Sequence, residues 1–373
     1  MRITLVAFCC LMLAALHLPA HVIQELYAEV SQKEDALQVD FLLDAMDEID
    51  RGNQDSDPPS RDWLDALSPA QHAALRVGSA EYITAFLKAT DEEGAPLAYS
   101  VSFPDYDKTP PDFPETQTGI ATVTVRLKIV MPEKSGVVLQ MAAADLPDLA
   151  IKVLGEGEDR YVTLSPGAKG QLFDRSVSTD GKATKEITSS AKSPQFFFLE
   201  QGFEHVIPAG WDHILFMVAL ALLTLEWRKL LGQSLLFTAA HSLTLGLSVV
   251  GFIKLPVGFV EAVIALSIVW MAAENLWAKK IKPTRLILIG VFGLIHGMGF
   301  AFVLGNTIRD SGSFYQALFF TNLGVELAQV CVILLLWLIF KLFIPKKYHP
   351  QAQKTISLLI VIGAGILFVS RVV

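Results

Sequence analysis

Charged residues are scarce in this chain, and they are unevenly distributed. Asp, Glu, Lys and Arg make up 18% of the 373 residues, compared with about 25% in an average soluble protein. Residues 21–200 hold 31 acidic and 16 basic residues, whereas residues 201–373 hold 7 acidic and 13 basic ones. This pattern predicts an acidic soluble half followed by an apolar, basic membrane half. No nucleic-acid partner is expected, because the soluble half is strongly acidic.

Cysteine is nearly absent as well, and all three cysteines lie outside residues 21–200. The first segment has a positive start at Arg2, an apolar run and a small residue at Ala20. These features are typical of a secretory signal peptide over residues 1–20, with an uncleaved membrane anchor as the alternative. The exported domain that follows would then fold in an oxidising compartment without a disulfide, which its length permits.

Residues 21–200 are predicted to form an extracytoplasmic, β-rich, sandwich-like domain. Thr122–Met131 alternates apolar with polar residues, which is typical of a half-buried strand. Ser68-Pro69 predicts the start of a short helix that runs through Leu75. The sequence here contains no recognisable nucleophile, metal cluster or phosphate-binding loop, so a structural, metal-collecting or partner-binding role stays open. Further short strands are predicted at Val137–Met141, Leu149–Leu154 and Tyr161–Leu164.

The second half contains six apolar segments. Each is close to the length needed to cross a hydrocarbon core about 30 Å thick, so residues 201–373 are predicted to form an α-helical bundle of six transmembrane helices in the lipid bilayer. The segments are approximately 203–225, 232–252, 256–277, 286–305, 317–344 and 356–373.

The polar breaks between these segments predict an orientation. Ten Lys and Arg residues follow or end the first, third and fifth segments, and only three lie at the other ends. Positively charged loops remain in the cytoplasm, so the exported domain and the C-terminus are both predicted to be extracytoplasmic. This agrees with the signal peptide and indicates the inner membrane of a bacterium, with a periplasmic N-terminal domain.

The apolar segments also contain ionisable residues. A charged group at mid-membrane costs at least about 2.5–3.5 kcal/mol, so each one needs a partner or a function. Histidine is the commonest transition-metal ligand, and carboxylates complete such sites. The sequence therefore predicts a site for a divalent transition metal (nickel, cobalt, copper or zinc), with buried structural hydrogen bonding as the alternative. The predicted ligands are His205, Asp212, His213, His241, Glu261, His296 and Glu326.

Spacing refines this prediction. His205 and Asp212 are seven residues apart, so on one continuous helix they would share a face on the outer side. His213 would then point inward, beside His241 and His296. Pro208 either loosens the helix between them or marks the helix start. Glu274 is predicted instead to form an ion pair, or to reach the surface, near the cytoplasmic end.

Five ordered motifs resemble those of the HupE/UreJ family: Gly210–Met217, Phe237–Leu245, Val260–Ser267, Phe292–Ala301 and Asn322–Glu326. The resemblance implies a six-span membrane protein related to nickel/cobalt permeases. The family's metal motif is matched by His205, Asp212 and His213, followed by residues 216–218, with Val206 where the family has proline.

Three functions are consistent with these residues. The first is a permease for a divalent transition metal, passive or gradient-driven, or powered by another subunit, because the chain has no ATP-binding loop. The second is a membrane-embedded zinc hydrolase in which three histidines, an aspartate and Ser242 bind zinc and activate a water molecule. The third is an assembly or sensor protein whose exported domain binds a partner protein.

Overall fold

The computed structural model describes residues 26–33, 36–44, 61–114, 121–132, 135–143, 146, 148–154, 159–173, 192–309 and 311–372. The predicted signal peptide lies outside these ranges. The chain forms two compact units, called here the N-terminal unit (residues 23–194) and the membrane unit (residues 195–373).

The N-terminal unit is rich in β-structure, as predicted. One sheet has six strands in the order β4-β5-β2-β1-β7-β8, and the other has three in the order β3-β6-β9. Helices α1 (Arg61–Asp65) and α2 (Pro69–Phe86) accompany them. The strands are β1 (Leu26–Lys33), β2 (Ala36–Asp44), β3 (Leu87–Thr90), β4 (Tyr99–Ser102), β5 (Thr122–Val130), β6 (Val137–Met141), β7 (Leu149–Val153), β8 (Arg160–Leu164) and β9 (Lys169–Phe173).

Both sheets contribute to one hydrophobic core. The alternation in β5 buries Val125, Leu127 and Ile129 in this core, which also contains residues of the smaller sheet such as Leu139. Two facing layers with a shared apolar interior form a sandwich-like arrangement. Across β2 and β5, Arg126 pairs with Asp40 through two contacts of 2.8 Å.

The membrane unit is entirely helical among its described elements. Five helices are long and apolar enough to cross a membrane, and α3 and α4 together would make a sixth span. The helices are α3 (Pro194–Val206), α4 (Trp211–Leu222), α5 (Trp227–Val249), α6 (Val257–Glu274), α7 (Pro283–Arg309), α8 (Phe314–Phe343) and α9 (His349–Val372).

The first predicted span is broken rather than continuous. Helices α3 and α4 meet at an angle of 69° across residues 207–210. Pro208 has no backbone N–H, and the Glu204 carbonyl oxygen accepts a hydrogen bond from Ala209 instead, at 3.2 Å. The break is therefore located at the proline. Helix α3 also begins at Pro194, earlier than the predicted span.

Glycines allow two pairs of helices to approach closely. A Cβ atom at Gly293 or Gly297 of α7 would collide with the α5 backbone at Phe237 or His241. Gly202 of α3 and Gly324 of α8 lie equally close to one another's helices, against carbonyl oxygens. Small residues at such crossings let membrane helices pack backbone to backbone. These crossings bring the polar side chains of the membrane unit together.

Candidate metal centre

Four histidines from four helices converge inside the membrane unit. His205 comes from α3, His213 from α4, His241 from α5 and His296 from α7. The ring of His213 is central: its centroid lies 4.8 Å from that of His205, 5.7 Å from that of His241 and 5.1 Å from that of His296. We call these four residues the histidine cluster.

Each member of the histidine cluster has a buried ring nitrogen with no hydrogen-bond partner. The atoms are Nε2 of His205, His213 and His241, and Nδ1 of His296. A buried polar atom without a partner costs roughly 1–3 kcal/mol, and native proteins retain few of them. Four such atoms in one cluster point to a ligand that accepts several nitrogen lone pairs.

The neighbours of His241 orient its ring. Asn322 Nδ2 donates to the Leu318 carbonyl oxygen at 2.7 Å, so Asn322 presents its Oδ1 to His241 Nδ1 at 3.3 Å. His241 Nδ1 therefore donates the hydrogen, and its Nε2 retains the lone pair. Such outer partners commonly orient metal-binding imidazoles.

The same logic applies to His296. Ser267 Oγ donates its single hydrogen to the Ile264 carbonyl oxygen at 2.6 Å, so it accepts from His296 Nε2 at 3.0 Å. The free lone pair of His296 is then on Nδ1, which is the unpartnered atom. Both outer partners thus leave a nitrogen available for a metal.

Aromatic side chains enclose the histidine cluster. Phe300 stacks on His205 with ring centroids 3.5 Å apart, and Phe237 lies 5.1 Å from His296. Phe216 is also 5.1 Å from His296 and is fully buried. These rings restrict water and hold the imidazoles in place.

The histidine nitrogens must move closer together to coordinate a transition metal. Ligand nitrogens of His205, His213 and His241 all lie within 4.8 Å of one another. Metal–nitrogen bonds of about 2.0–2.1 Å require tetrahedral ligand atoms to be roughly 3.3 Å apart. Imidazole rotations can supply this difference, and His296 could add a fourth nitrogen.

Two of the predicted carboxylate ligands lie in a separate ionic group. Arg371, near the end of α9, contacts Asp212 Oδ2 at 2.9 Å and Glu261 Oε2 at 3.9 Å. Asp212 occupies the first turn of α4, where the helix dipole favours an acid. The prediction that His205 and Asp212 share one face is wrong, because the break at Pro208 puts them on different helices. His213, by contrast, does lie beside His241 and His296.

Glu326 lies in a third polar group, between α5 and α8. Its carboxylate accepts hydrogen bonds from Ser234 Oγ at 3.0 Å and from Thr238 Oγ1. Gln329 Oε1 contacts the same two hydroxyls, at 3.0 and 3.2 Å. We call Ser234, Thr238, Glu326 and Gln329 the oxygen cluster.

Glu274 forms an ion pair with Arg285, a residue between the third and fourth predicted segments. Arg285, fully buried in α7, contacts Glu274 Oε2 at 2.6 Å. Its other terminal nitrogen lies 3.4 Å from the carbonyl oxygens of Ala219 and Leu220, in the last turn of α4. This guanidinium therefore neutralises an acid and satisfies helix-end carbonyls together.

Sequence reasoning missed the arginines and Ser267. Arg285 was counted among the charges between the third and fourth segments and Arg371 among those at the extracytoplasmic ends, although each contacts an acid on another helix. The number of acids within apolar segments was the available signal, since buried acids need cations. Ser267 carries no such signal, because buried serines are common in membrane helices.

The N-terminal unit holds a packed polar–aromatic group around His72. Its Nδ1 lies 3.0 Å from the Tyr106 hydroxyl, and its ring stacks on Phe113 at 5.7 Å. Burial lowers the pKa of His72 below its usual value, and burial raises the pKa of Tyr106 to about 12. Both groups are therefore neutral near pH 7, which suits a structural role.

Comparison with known proteins gives one match. The family described as HupE / UreJ protein matches residues 182–371, just over half of the chain. This region contains all seven predicted ligands. No curated protein and no solved structure matches the chain.

Proposed function

Because this chain belongs to the HupE / UreJ family, we propose that it is a membrane permease for a divalent transition metal. The metal is the substrate, and the histidine cluster is its binding site within the bilayer. One observation carries the proposal: four helices each supply a buried imidazole nitrogen that has no other partner.

The ligand type narrows the choice of metal. Imidazole nitrogens suit nickel, cobalt, copper and zinc, whereas magnesium and calcium prefer oxygen. The cluster holds no carboxylate, so its neutral ligands leave the ion's charge uncompensated within the described residues. The site therefore fits any of these four metals, and the ease with which a bound ion exchanges distinguishes a permease from a fixed zinc centre.

The ionic group at Arg371 suits the outer end of the route. Asp212 directly precedes His213, and the carboxylates of Asp212 and Glu261 are both partly exposed. The excess of basic residues at the opposite helix ends supports an extracytoplasmic position for this group. An incoming cation would compete with Arg371 for the two acids and then reach the histidine cluster.

The hydrolase alternative has weaker support. It used Ser242 beside the histidines, but Ser242 Oγ donates to the Thr238 carbonyl oxygen of its own helix at 2.7 Å. Ser267 is the hydroxyl that contacts a cluster histidine, and it donates its hydrogen to a backbone carbonyl. Both hydroxyls are therefore engaged with the backbone, and Asp212 contacts Arg371 instead of the histidine cluster, so neither Ser242 nor the aspartate is in position to assist a zinc-bound water.

Metal binding by the purified full chain tests the proposal. After dialysis against nickel or cobalt, we expect about one exchangeable ion per chain by elemental analysis. His213→Ala removes the central imidazole and should reduce binding at least tenfold. The matched control is His349→Ala, because His349 also lies in the membrane unit but bonds the Ile344 carbonyl oxygen at 2.9 Å.

Reconstituted vesicles then separate transport from the alternatives. Wild-type vesicles should accumulate radioactive nickel or cobalt, and His213→Ala vesicles should not. Tightly held zinc that resists exchange, with no accumulation, would contradict the permease and favour the hydrolase. Absence of any metal bound at the histidines would leave the assembly or sensor role.

A further inference from the structure

The oxygen cluster differs chemically from the histidine cluster. It presents two carboxylate oxygens, two hydroxyls and one amide oxygen, and no nitrogen ligand. Ser234 and Gln329 are fully buried, and Thr238 is 8% exposed. Oxygen ligands of this kind favour hard cations over transition metals.

Glu326, which is partly buried, also differs from the other acids of the membrane unit that face neighbouring helices. Asp212 and Glu261 share Arg371, and Glu274 has Arg285. Among the described residues no Lys, Arg or His pairs with Glu326. A carboxylate within the bilayer is costly without a counter-charge, so its position calls for a cation that is not a side chain.

Hydrogen counting supports the same conclusion. The cluster has four oxygen–oxygen contacts, yet its two hydroxyls supply only two hydrogens, and a proton on the Glu326 carboxyl would make three. At least one of these contacts therefore lacks a hydrogen of its own, even with Glu326 protonated. Meanwhile Gln329 Nε2 is buried and has no partner, because the amide turns its oxygen toward the hydroxyls. A cation among the oxygens would explain both features.

We propose that the oxygen cluster binds a monovalent cation of the sodium class. One carboxylate supplies one negative charge, which a monovalent ion neutralises and a divalent ion would overcompensate. Three of the four oxygen–oxygen contacts are 3.0–3.2 Å long, which is closer to the spacing of oxygen ligands around sodium than around the larger potassium ion.

The oxygen cluster is connected to the histidine cluster through α5 and α8, the two helices that form it. Thr238 precedes His241 by three residues on α5, and Asn322 precedes Glu326 by four on α8. Asn322 bonds His241 directly, so ordering of α5 against α8 by a cation also orders a metal ligand. Binding of the two ions is therefore coupled, and this part of the proposal rests on the proposed function.

Binding of radioactive sodium to the purified full chain, without transition metal, tests the site itself. Wild-type protein should bind sodium saturably, and potassium should compete poorly. Glu326→Gln and Thr238→Val should each weaken binding at least tenfold. Ser242→Ala is the matched control, because that hydroxyl lies on α5 but bonds only the backbone. Absence of saturable sodium binding to the wild-type chain would overturn the proposal. In that case Gln329 would have the reversed amide, donating to both hydroxyls.

A second measurement separates this proposal from the proposed function. His213→Ala should lose cobalt binding yet bind sodium like the wild type. In the wild type, sodium replacing choline at constant ionic strength should raise cobalt affinity roughly fivefold or more. Cobalt affinity that is independent of sodium would overturn the coupling. Sodium binding in a chain that binds no transition metal would overturn the permease and leave the sodium site standing.

Discussion

At the scale of single residues, the orientation of the His241 and His296 imidazoles depends on the hydrogen bond made by the ring nitrogen that does not face the metal. Asn322 and Ser267 determine which nitrogen of His241 and His296 remains free. Neither residue is itself a candidate ligand. Substitution of Asn322 or Ser267 therefore distinguishes histidines that bind a metal from histidines that only fill space in the bundle.

Asn322→Ala should weaken cobalt binding without removing a ligand. Loss of the acceptor frees the His241 ring to rotate and to exchange tautomers, and such outer-partner losses typically cost 10–100-fold in affinity. Asn322→Asp retains an acceptor and should preserve most of the affinity. Cobalt titration followed by its visible absorption spectrum measures both. Equal affinities in Asn322→Ala and wild type would show that this bond does not orient a ligand.

At the scale of helices, the α5–α7 crossing positions two members of the histidine cluster. Gly297→Ala places a methyl group against the His241 carbonyl oxygen and the Thr244 hydroxyl. Overpacking of this kind costs roughly 1–3 kcal/mol, so the melting temperature in detergent and the cobalt affinity should both fall.

A glycine on α9 provides the matched control for that crossing. A Cβ at Gly365 meets no atom within 4 Å. Gly365→Ala should therefore leave cobalt affinity unchanged and raise stability by up to about 1 kcal/mol, through helix propensity. Equal behaviour of the two variants would contradict the close crossing.

The buried Arg285–Glu274 pair holds α7 against the C-terminal ends of α4 and α6. Arg285→Met leaves Glu274 without its cation, which should destabilise the protein by roughly 3–5 kcal/mol. Adding Glu274→Leu removes the unpaired charge and should restore much of that loss. Lys282→Ala, at an exposed neighbouring position, should change stability by less than about 0.5 kcal/mol. Thermal unfolding in detergent compares them, and a stable Arg285→Met single variant would refute the assignment.

Hydropathy predicted most helices well, because a bilayer demands long apolar runs. Helices α5 to α9 match the second to sixth predicted segments within a few residues, apart from the early start of α9 at His349. The four strands predicted in the N-terminal unit match β5 to β8 within about one residue, the first of them from its period of two, whereas β1, β3, β4 and β9 were not predicted. Helix α2 runs further than predicted, to Phe86, because its amphipathic signal is weak.

Contacts across the bundle were beyond the reach of sequence patterns. Spacing within one continuous helix predicted that His205 would share a face with Asp212, but the helix is broken at Pro208 and the two residues lie on different helices. Spacing correctly suggested His213 beside His241 and His296. Which acid pairs with Arg371, with Arg285 or with the oxygen cluster depends on which helices are neighbours. Periodicity within one helix contains no information about its neighbours.

At the scale of the whole molecule, the direction of the proposed metal route depends on the orientation of the chain in the membrane. The imbalance of basic residues predicts that residues near Lys280 and Lys347 are cytoplasmic and that the N-terminal unit is not. A reporter enzyme active only outside the cytoplasm should work when fused after Thr118 and fail after Lys280 or Lys347. Activity after Lys280 would reverse the proposed direction of the route from Asp212.

X-ray absorption at the metal edge of the nickel- or cobalt-loaded full chain tests whether the histidine cluster holds the metal. We expect a coordination shell with at least three imidazole nitrogens, visible through ring multiple scattering. In any residual metal bound by His213→Ala, this imidazole signal should be diminished. A shell made only of oxygen atoms, or a shell unchanged by His213→Ala, would contradict the assignment of the histidine cluster as the metal site.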